Sequence, residues 1–270
     1  MSGERTVAVE TLKVFLVGAG PGDPGLLTVT AYNLLKRADV VVYDRLVSKE
    51  ILDIVQVGAA KINVGKQPNC HPVPQHEINE LLVSLAREGR CVVRLKGGDP
   101  YMFGRGSEEA MHLLDHGIDF EVVPGVTAAT GCSAAAGVPL THRGIATSVR
   151  YITGHCRDEV DLNLDWKGLT DPDTTLAIYM GVANMAKISV KLISNGMPST
   201  RPAMAISQGT TKHQRQLVST VGEVADKVAD ANMPGPVIFI VGNVVELAEV
   251  LAKDSTHEVI PFDIATANEG

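Results

Sequence analysis

Short apolar, β-branched runs recur along the chain and alternate with longer stretches of helical spacing. Val14-Phe15-Leu16-Val17 has no polar interruption, which predicts a strand buried on both faces, and it runs into a glycine-rich segment over 18–25. A helix is predicted over 28–38, then a second strand, Val40-Val41-Val42-Tyr43, ending at Asp44. A third strand covers 62–64. Glu77, Ile78, Leu81, Leu82 and Leu85 repeat at helical spacing as far as Gly89, a natural stop. The strand over 91–95 leads into Lys96-Gly97-Gly98-Asp99-Pro100, and the strand over 120–123 ends at Pro124-Gly125. A small-residue helix follows over 126–136, closed by Val138-Pro139.

Strands alternating with helices imply an α/β fold with a largely parallel sheet flanked by helices. The second half restarts with a strand over 148–153 and a polar stretch over 157–173. Strands over 175–180, 203–207 and 237–241 follow, with helices between and after them. Two α/β lobes are expected, 13–130 and 131–253, followed by a polar tail over 254–270. No fixed-period repeat is visible.

Charge and composition narrow the partners. The chain of 270 residues carries a formal charge of −7, which argues against non-specific nucleic-acid or membrane binding. One Trp and five Phe offer few platforms for stacking a single strand. Cys70, Cys91, Cys132 and Cys156 contain no CxxC pair, the N-terminus has no apolar signal-peptide core, and 237–245 is too short to span a bilayer. A reduced, cytoplasmic protein is expected.

The first loop, Gly18-Ala19-Gly20-Pro21-Gly22-Asp23-Pro24-Gly25, lies between a strand and a helix, where open α/β sheets place ligands. A dinucleotide fingerprint needs a third glycine where Asp23 stands, although Asp44 occupies the place of a ribose-binding acid. A phosphate loop is excluded, because six residues separate Gly58 from Gly65 and Gln67 follows Lys66. A second loop, Gly97-Gly98-Asp99-Pro100, continues through Phe103-Gly104-Arg105-Gly106. Loops at neighbouring strand ends converge on one pocket; the plainer alternative is two tight turns whose Asp residues cap local backbone donors. Glu108 and Glu109 stand where acids complement a helix N-terminus. Neither Cys70-His71 with His76 nor His155-Cys156 has zinc-ligand spacing, and no G-x-S-x-G elbow is present.

These loops combine with further segments in a recognisable order: Tyr43-Asp44-Arg45-Leu46-Val47, Val64-Gly65-Lys66, Val123-Pro124-Gly125-Val126-Thr127-Ala128, Thr141-His142-Arg143-Gly144 and Thr153-Gly154-His155. Tyr179-Met180-Gly181, Gln208-Gly209-Thr210 and Gly235-Pro236 complete the set. Together they resemble the uroporphyrinogen-III C-methyltransferase family of the tetrapyrrole methylase superfamily, over about residues 13–252. The resemblance implies two α/β lobes with the active site in the cleft between them, in a homodimer. It implies transfer of two methyl groups from S-adenosylmethionine to C2 and C7 of uroporphyrinogen III. Precorrin-1 and then precorrin-2 form, with S-adenosylhomocysteine released, no metal required, and the product feeding sirohaem, cobalamin or another tetrapyrrole. The fused form with a dehydrogenase–chelatase module needs a longer chain, so a monofunctional enzyme is expected.

By the same resemblance Pro21, Gly97, Gly98, Asp99, Met102, Thr127, Ala128, Met180 and Gly209 cradle the cofactor. Arg45, Arg105, Glu108 and Arg143 face the substrate carboxylates, and Asp44 acts as general base with Lys66 as its acid partner. Without the resemblance, Met180 reads as a core methionine at a strand end, Lys66 as a solvated lysine and each arginine as a surface charge. A later precorrin methyltransferase, a nicotinamide oxidoreductase and a non-catalytic tetrapyrrole carrier are the competing functions.

Overall fold

The computed structural model describes residues 12–65, 73–155 and 162–251. Five strands, β1 Lys13–Gly18, β2 Val40–Tyr43, β3 Ala60–Asn63, β4 Val92–Lys96 and β5 Asp119–Val123, form the first sheet. Their order is β3-β2-β4-β1-β5, and every pairing is parallel. The uninterrupted apolar runs now have a physical reason, since each face of the sheet has its own core. Val14, Leu16, Val40 and Val42 pack on one side with Leu82 and Leu113; Val17, Val41, Val93 and Leu95 pack on the other with Leu34 and Ile51.

Helices α1 Val29–Leu35, α2 Lys49–Leu52, α3 Gln75–Arg87 and α4 Gly106–Asp115 connect the strands. Thr28 caps α1 by accepting from the Ala31 amide at 3.1 Å, so the helix begins one residue beyond the sequence expectation. It also ends earlier, at Leu35. From β1 the chain crosses towards β2, whereas from β4 it crosses towards β5. Adjacent strands whose connections leave in opposite directions open a crevice at their carboxyl ends.

The second sheet comprises β6 Ser148–Thr153, β7 Thr174–Tyr179, β8 Pro202–Ser207, β9 Arg215–Thr220 and β10 Val237–Val241, in the order β6-β7-β10-β8-β9. Only β6 and β7 are parallel. Helices α5 Ala128–Ala135, α6 Met185–Ser194, α7 Val224–Asp230 and α8 Ala248–Leu251 accompany it, around a core containing Phe239, Leu176, Ile178 and Ile188. The expected helix over 126–136 starts only at Ala128, after the extended Pro124-Gly125 turn. β9 escapes the sequence reading because it is an edge strand, largely exposed, with one apolar pair in six residues.

Contacts divide the chain into two compact units that meet in sequence at Ala128 and Ala129. The tail over 254–270 lies outside the described residues, among which no helix is long and apolar enough to cross a membrane.

Candidate active site

In the first unit the two glycine loops are hydrogen-bonded to each other. Beyond β1 and β4 the Ala19 amide donates to the Lys96 carbonyl at 2.8 Å, Gly20 N to Gly98 O at 3.1 Å and Gly98 N to Gly20 O at 2.7 Å. A third strand end joins them. A Cβ on Gly18 would stand 2.6 Å from Gly125 Cα and 2.7 Å from the Gly98 carbonyl, and one on Gly125 would fall on that same carbonyl. Backbone therefore meets backbone at three strand ends, which only glycine permits.

Asp99 fixes the junction. One carboxylate oxygen accepts from the Tyr101 amide at 2.9 Å and the other from the Gly125 amide at 3.0 Å. The local-capping alternative is thus realised, with one cap reaching across to the next strand. Gly98, at φ +70, has only the Ala128 amide within 4 Å of where a Cβ would be, at 3.9 Å, so this stretch of backbone presents an open side. Pro21, Gly97, Met102, Thr127 and Ala128 are all half-buried.

Asp44 leaves β2 beside this junction. Its carboxylate accepts from the Leu46 amide at 2.9 Å and, at 3.4 Å, from the Gly97 amide. Arg45 is exposed; its backbone passes so close to Gly65 that a Cβ on Gly65 would collide with the Arg45 amide. Lys66, Cys70 and Cys156 lie outside the described residues.

Beneath the Gly97 loop lies an ion cluster the sequence reading missed. Glu109, expected to complement a helix N-terminus, is instead fully buried, with Oε1 2.9 Å from Lys96 Nζ and 3.0 Å from Arg94 Nε. Gln75 adds a donor at 3.1 Å. Burial pulls the Lys96 pKa down, the Arg94 charge adds to this, and Glu109 and Asp44 oppose it. The missed signal was Val92-Val93-Arg94-Leu95-Lys96: two cations on one face of a buried strand require an acid from a neighbouring element.

Arg105, at φ +60 before α4, forms a two-point pair with Glu108 at 2.8 and 2.7 Å, both side chains half exposed. Hydrogen bonding to Glu108 raises the Arg105 pKa further. In the second unit Arg143 is exposed in the turn that pairs His142 with Ala146. Met180 follows β7 at φ +53 and is 50% exposed, which overturns its reading as a core methionine. Gly209 is buried between Gln208 and Thr210, both at positive φ, and a Cβ there would collide with Cys132 Sγ. Its lack of a side chain is a packing requirement within its own unit. The described structure thus gathers Asp44 with Pro21, the 97–99 loop and Ala128, and assigns Arg143, Met180 and Gly209 to three separate loops of the second unit.

Interlocked glycine loops at the switch point of a parallel α/β unit stand where open α/β sheets bind their ligands, which makes this a candidate small-molecule site. Residues 13–225 match the family model of the tetrapyrrole (corrin/porphyrin) methylases, and the chain belongs to that family. It is 52% identical over 237 residues to a uroporphyrinogen-III C-methyltransferase of Paracoccus denitrificans, covering 88% of this chain and 83% of that one. It is 50% identical over 252 residues to a siroheme synthase of Hahella chejuensis, covering 93% of this chain and 54% of the relative. The chain spans about half the length of several curated relatives it matches. Among solved structures, a Thermus thermophilus uroporphyrin-III C-methyltransferase complexed with S-adenosylhomocysteine aligns at 40% identity and a TM-score of 0.74, covering 87% of this chain and 99% of that one. A cobalt precorrin-4 methyltransferase of cobalamin biosynthesis aligns at 28% identity and 0.77, covering 87% and 96%.

Proposed function

We propose that this chain methylates uroporphyrinogen III at C2 and C7, using S-adenosylmethionine and yielding precorrin-2 by way of precorrin-1. The observation that carries this reading is the 52% identity to the Paracoccus enzyme across most of both chains. The residues of the first unit suit the cofactor. Gly98 offers backbone with an open side, Met102 a polarizable apolar contact, and Asp99 spare lone pairs for hydroxyl or ammonium donors. When bound, the sulfonium supplies an already activated methyl group. The protein's task is therefore alignment of the acceptor carbon rather than activation.

By the family resemblance, Pro21, Gly97, Thr127, Ala128, Met180 and Gly209 are the remaining residues assigned to the cofactor. Asp44 is the base that removes the proton from the alkylated carbon. Its carboxylate is held by the Leu46 and Gly97 amides, so it meets the substrate in a fixed orientation. Lys66 is its acid partner. Arg45, Arg105 and Arg143 receive substrate carboxylates, and Glu108 holds Arg105 until substrate displaces it. The enzyme works as a cytoplasmic homodimer without nucleic-acid or membrane partners, needs no metal for methyl transfer, and feeds sirohaem synthesis, with a cobalamin branch open to the same product.

Calorimetric titration with S-adenosylhomocysteine tests the cradle. Gly98→Ala should weaken binding and, because Gly98 sits at φ +70, also lower the thermal midpoint by the equivalent of about 1–2 kcal/mol; unchanged affinity in a folded Gly98→Ala would overturn the cradle assignment. A second reading, methylation of a later precorrin, draws on the TM-score of 0.77 to the cobalt precorrin-4 enzyme. It is separated from the first by which acceptor gains mass.

A further inference from the structure

Away from the glycine loops, α3 and α4 bring together three groups with metal-ligating chemistry. Glu80 of α3, His112 of α4 and His116, the residue after α4's last turn, each place one ligand atom within 4.8 Å of the others. The two histidines are four apart and so share one helix face; their rings stand 4.3 Å apart. His112 Nε2 is sealed from solvent, has no partner in hydrogen-bond geometry, and lies 3.1 Å from Glu80 Oε1. His116 Nδ1 stands 2.8 Å from the His112 carbonyl oxygen. A carbonyl only accepts, so Nδ1 carries the proton and the lone pair resides on Nε2. A backbone carbonyl orienting one ring nitrogen is the arrangement that fixes the tautomer of ligating histidines.

We propose that Glu80, His112 and His116 form a binding site for a borderline divalent cation of the Zn²⁺ type, separate from the methyl-transfer site. Two imidazoles and a carboxylate match the three-protein-ligand set of such ions, with water completing the tetrahedron. The helix C-terminus adds its negative dipole end. Bonds of about 2.0–2.1 Å require the ligand atoms to draw closer than they now stand, and the exposed Glu80 side chain is free to make that movement. The bound cation would pin α4 to α3. The other end of α4 begins at the Arg105 turn, and its first turn carries the buried Glu109.

Metal-free full-length protein without an affinity tag, titrated with ZnCl₂ and with CoCl₂, tests the site. One ion per chain should bind, raise the thermal midpoint and give cobalt d–d bands of nitrogen and oxygen ligation. His112→Gln and Glu80→Gln should each weaken affinity at least about tenfold. Glu80 is exposed, so that variant remains informative if His112→Gln folds poorly. Absence of stoichiometric binding, or binding that persists in Glu80→Gln with thiolate-to-cobalt charge-transfer bands, would overturn the assignment.

Discussion

In the proposed mechanism Asp44 is the base, and its hydrogen-bonded environment shapes what its replacement should do. Asp44→Asn keeps a carbonyl acceptor for the Leu46 amide and removes the base. Cofactor affinity should stay near wild type while turnover falls about 10²–10⁴-fold. Equal losses of both in a titration and a rate assay would make Asp44 a structural cap. Asp44, the 97–99 loop and Arg105 could be nominated from the sequence because they stand in motifs. The role of Glu109 was not, because nothing local in Gly106-Ser107-Glu108-Glu109 says which of two adjacent acids turns inward. Only the partners on β4, Arg94 and Lys96, decide it. Glu109→Ala leaves both cations buried without a counter-charge, and denaturant titration should register about 3–5 kcal/mol of lost stability.

Cys132 makes a third prediction at this scale. Burial pushes its thiol up to about 12 from 9.0. Between those values the unfolded chain has lost a proton the folded chain keeps. Stability is therefore untouched below pH 9 and falls as pH rises towards 12, by up to about 1.4 kcal/mol per pH unit. Urea midpoints across that range should fall more steeply for wild type than for Cys132→Ala; equal slopes would show that the thiol is accessible in the folded state.

Among the elements, β1, β4 and β5 matter most, because their ends are joined by glycine backbone. Gly125→Ala drives a Cβ onto the Gly98 carbonyl. It should cost about 1–3 kcal/mol in thermal or urea unfolding and weaken S-adenosylhomocysteine binding with it. An unaffected midpoint would mean that the junction is looser than its geometry. The first sheet was readable because a parallel sheet buried on both faces leaves unbroken apolar runs. The second was read less fully: β9, with Arg215, Gln216 and Val218 exposed, resembles a loop until β8 is placed beside it. Capping by Thr28 and the Pro124-Gly125 turn moved helix starts by one or two residues, a local effect that periodicity does not register.

For the whole molecule, two α/β units with different sheet topologies share one family assignment, and the match to the tetrapyrrole methylases runs through both. Neither unit carries the full set of expected site residues: Asp44 and the 97–99 loop belong to the first, Arg143 and Met180 to the second. The most direct measurement is an anaerobic incubation of the protein with uroporphyrinogen III and S-adenosylmethionine, with mass spectrometry of the tetrapyrrole product. Two added methyl groups per macrocycle, with two equivalents of S-adenosylhomocysteine released, is the predicted result. An unmodified macrocycle, from protein that binds S-adenosylhomocysteine, would contradict uroporphyrinogen III as the acceptor.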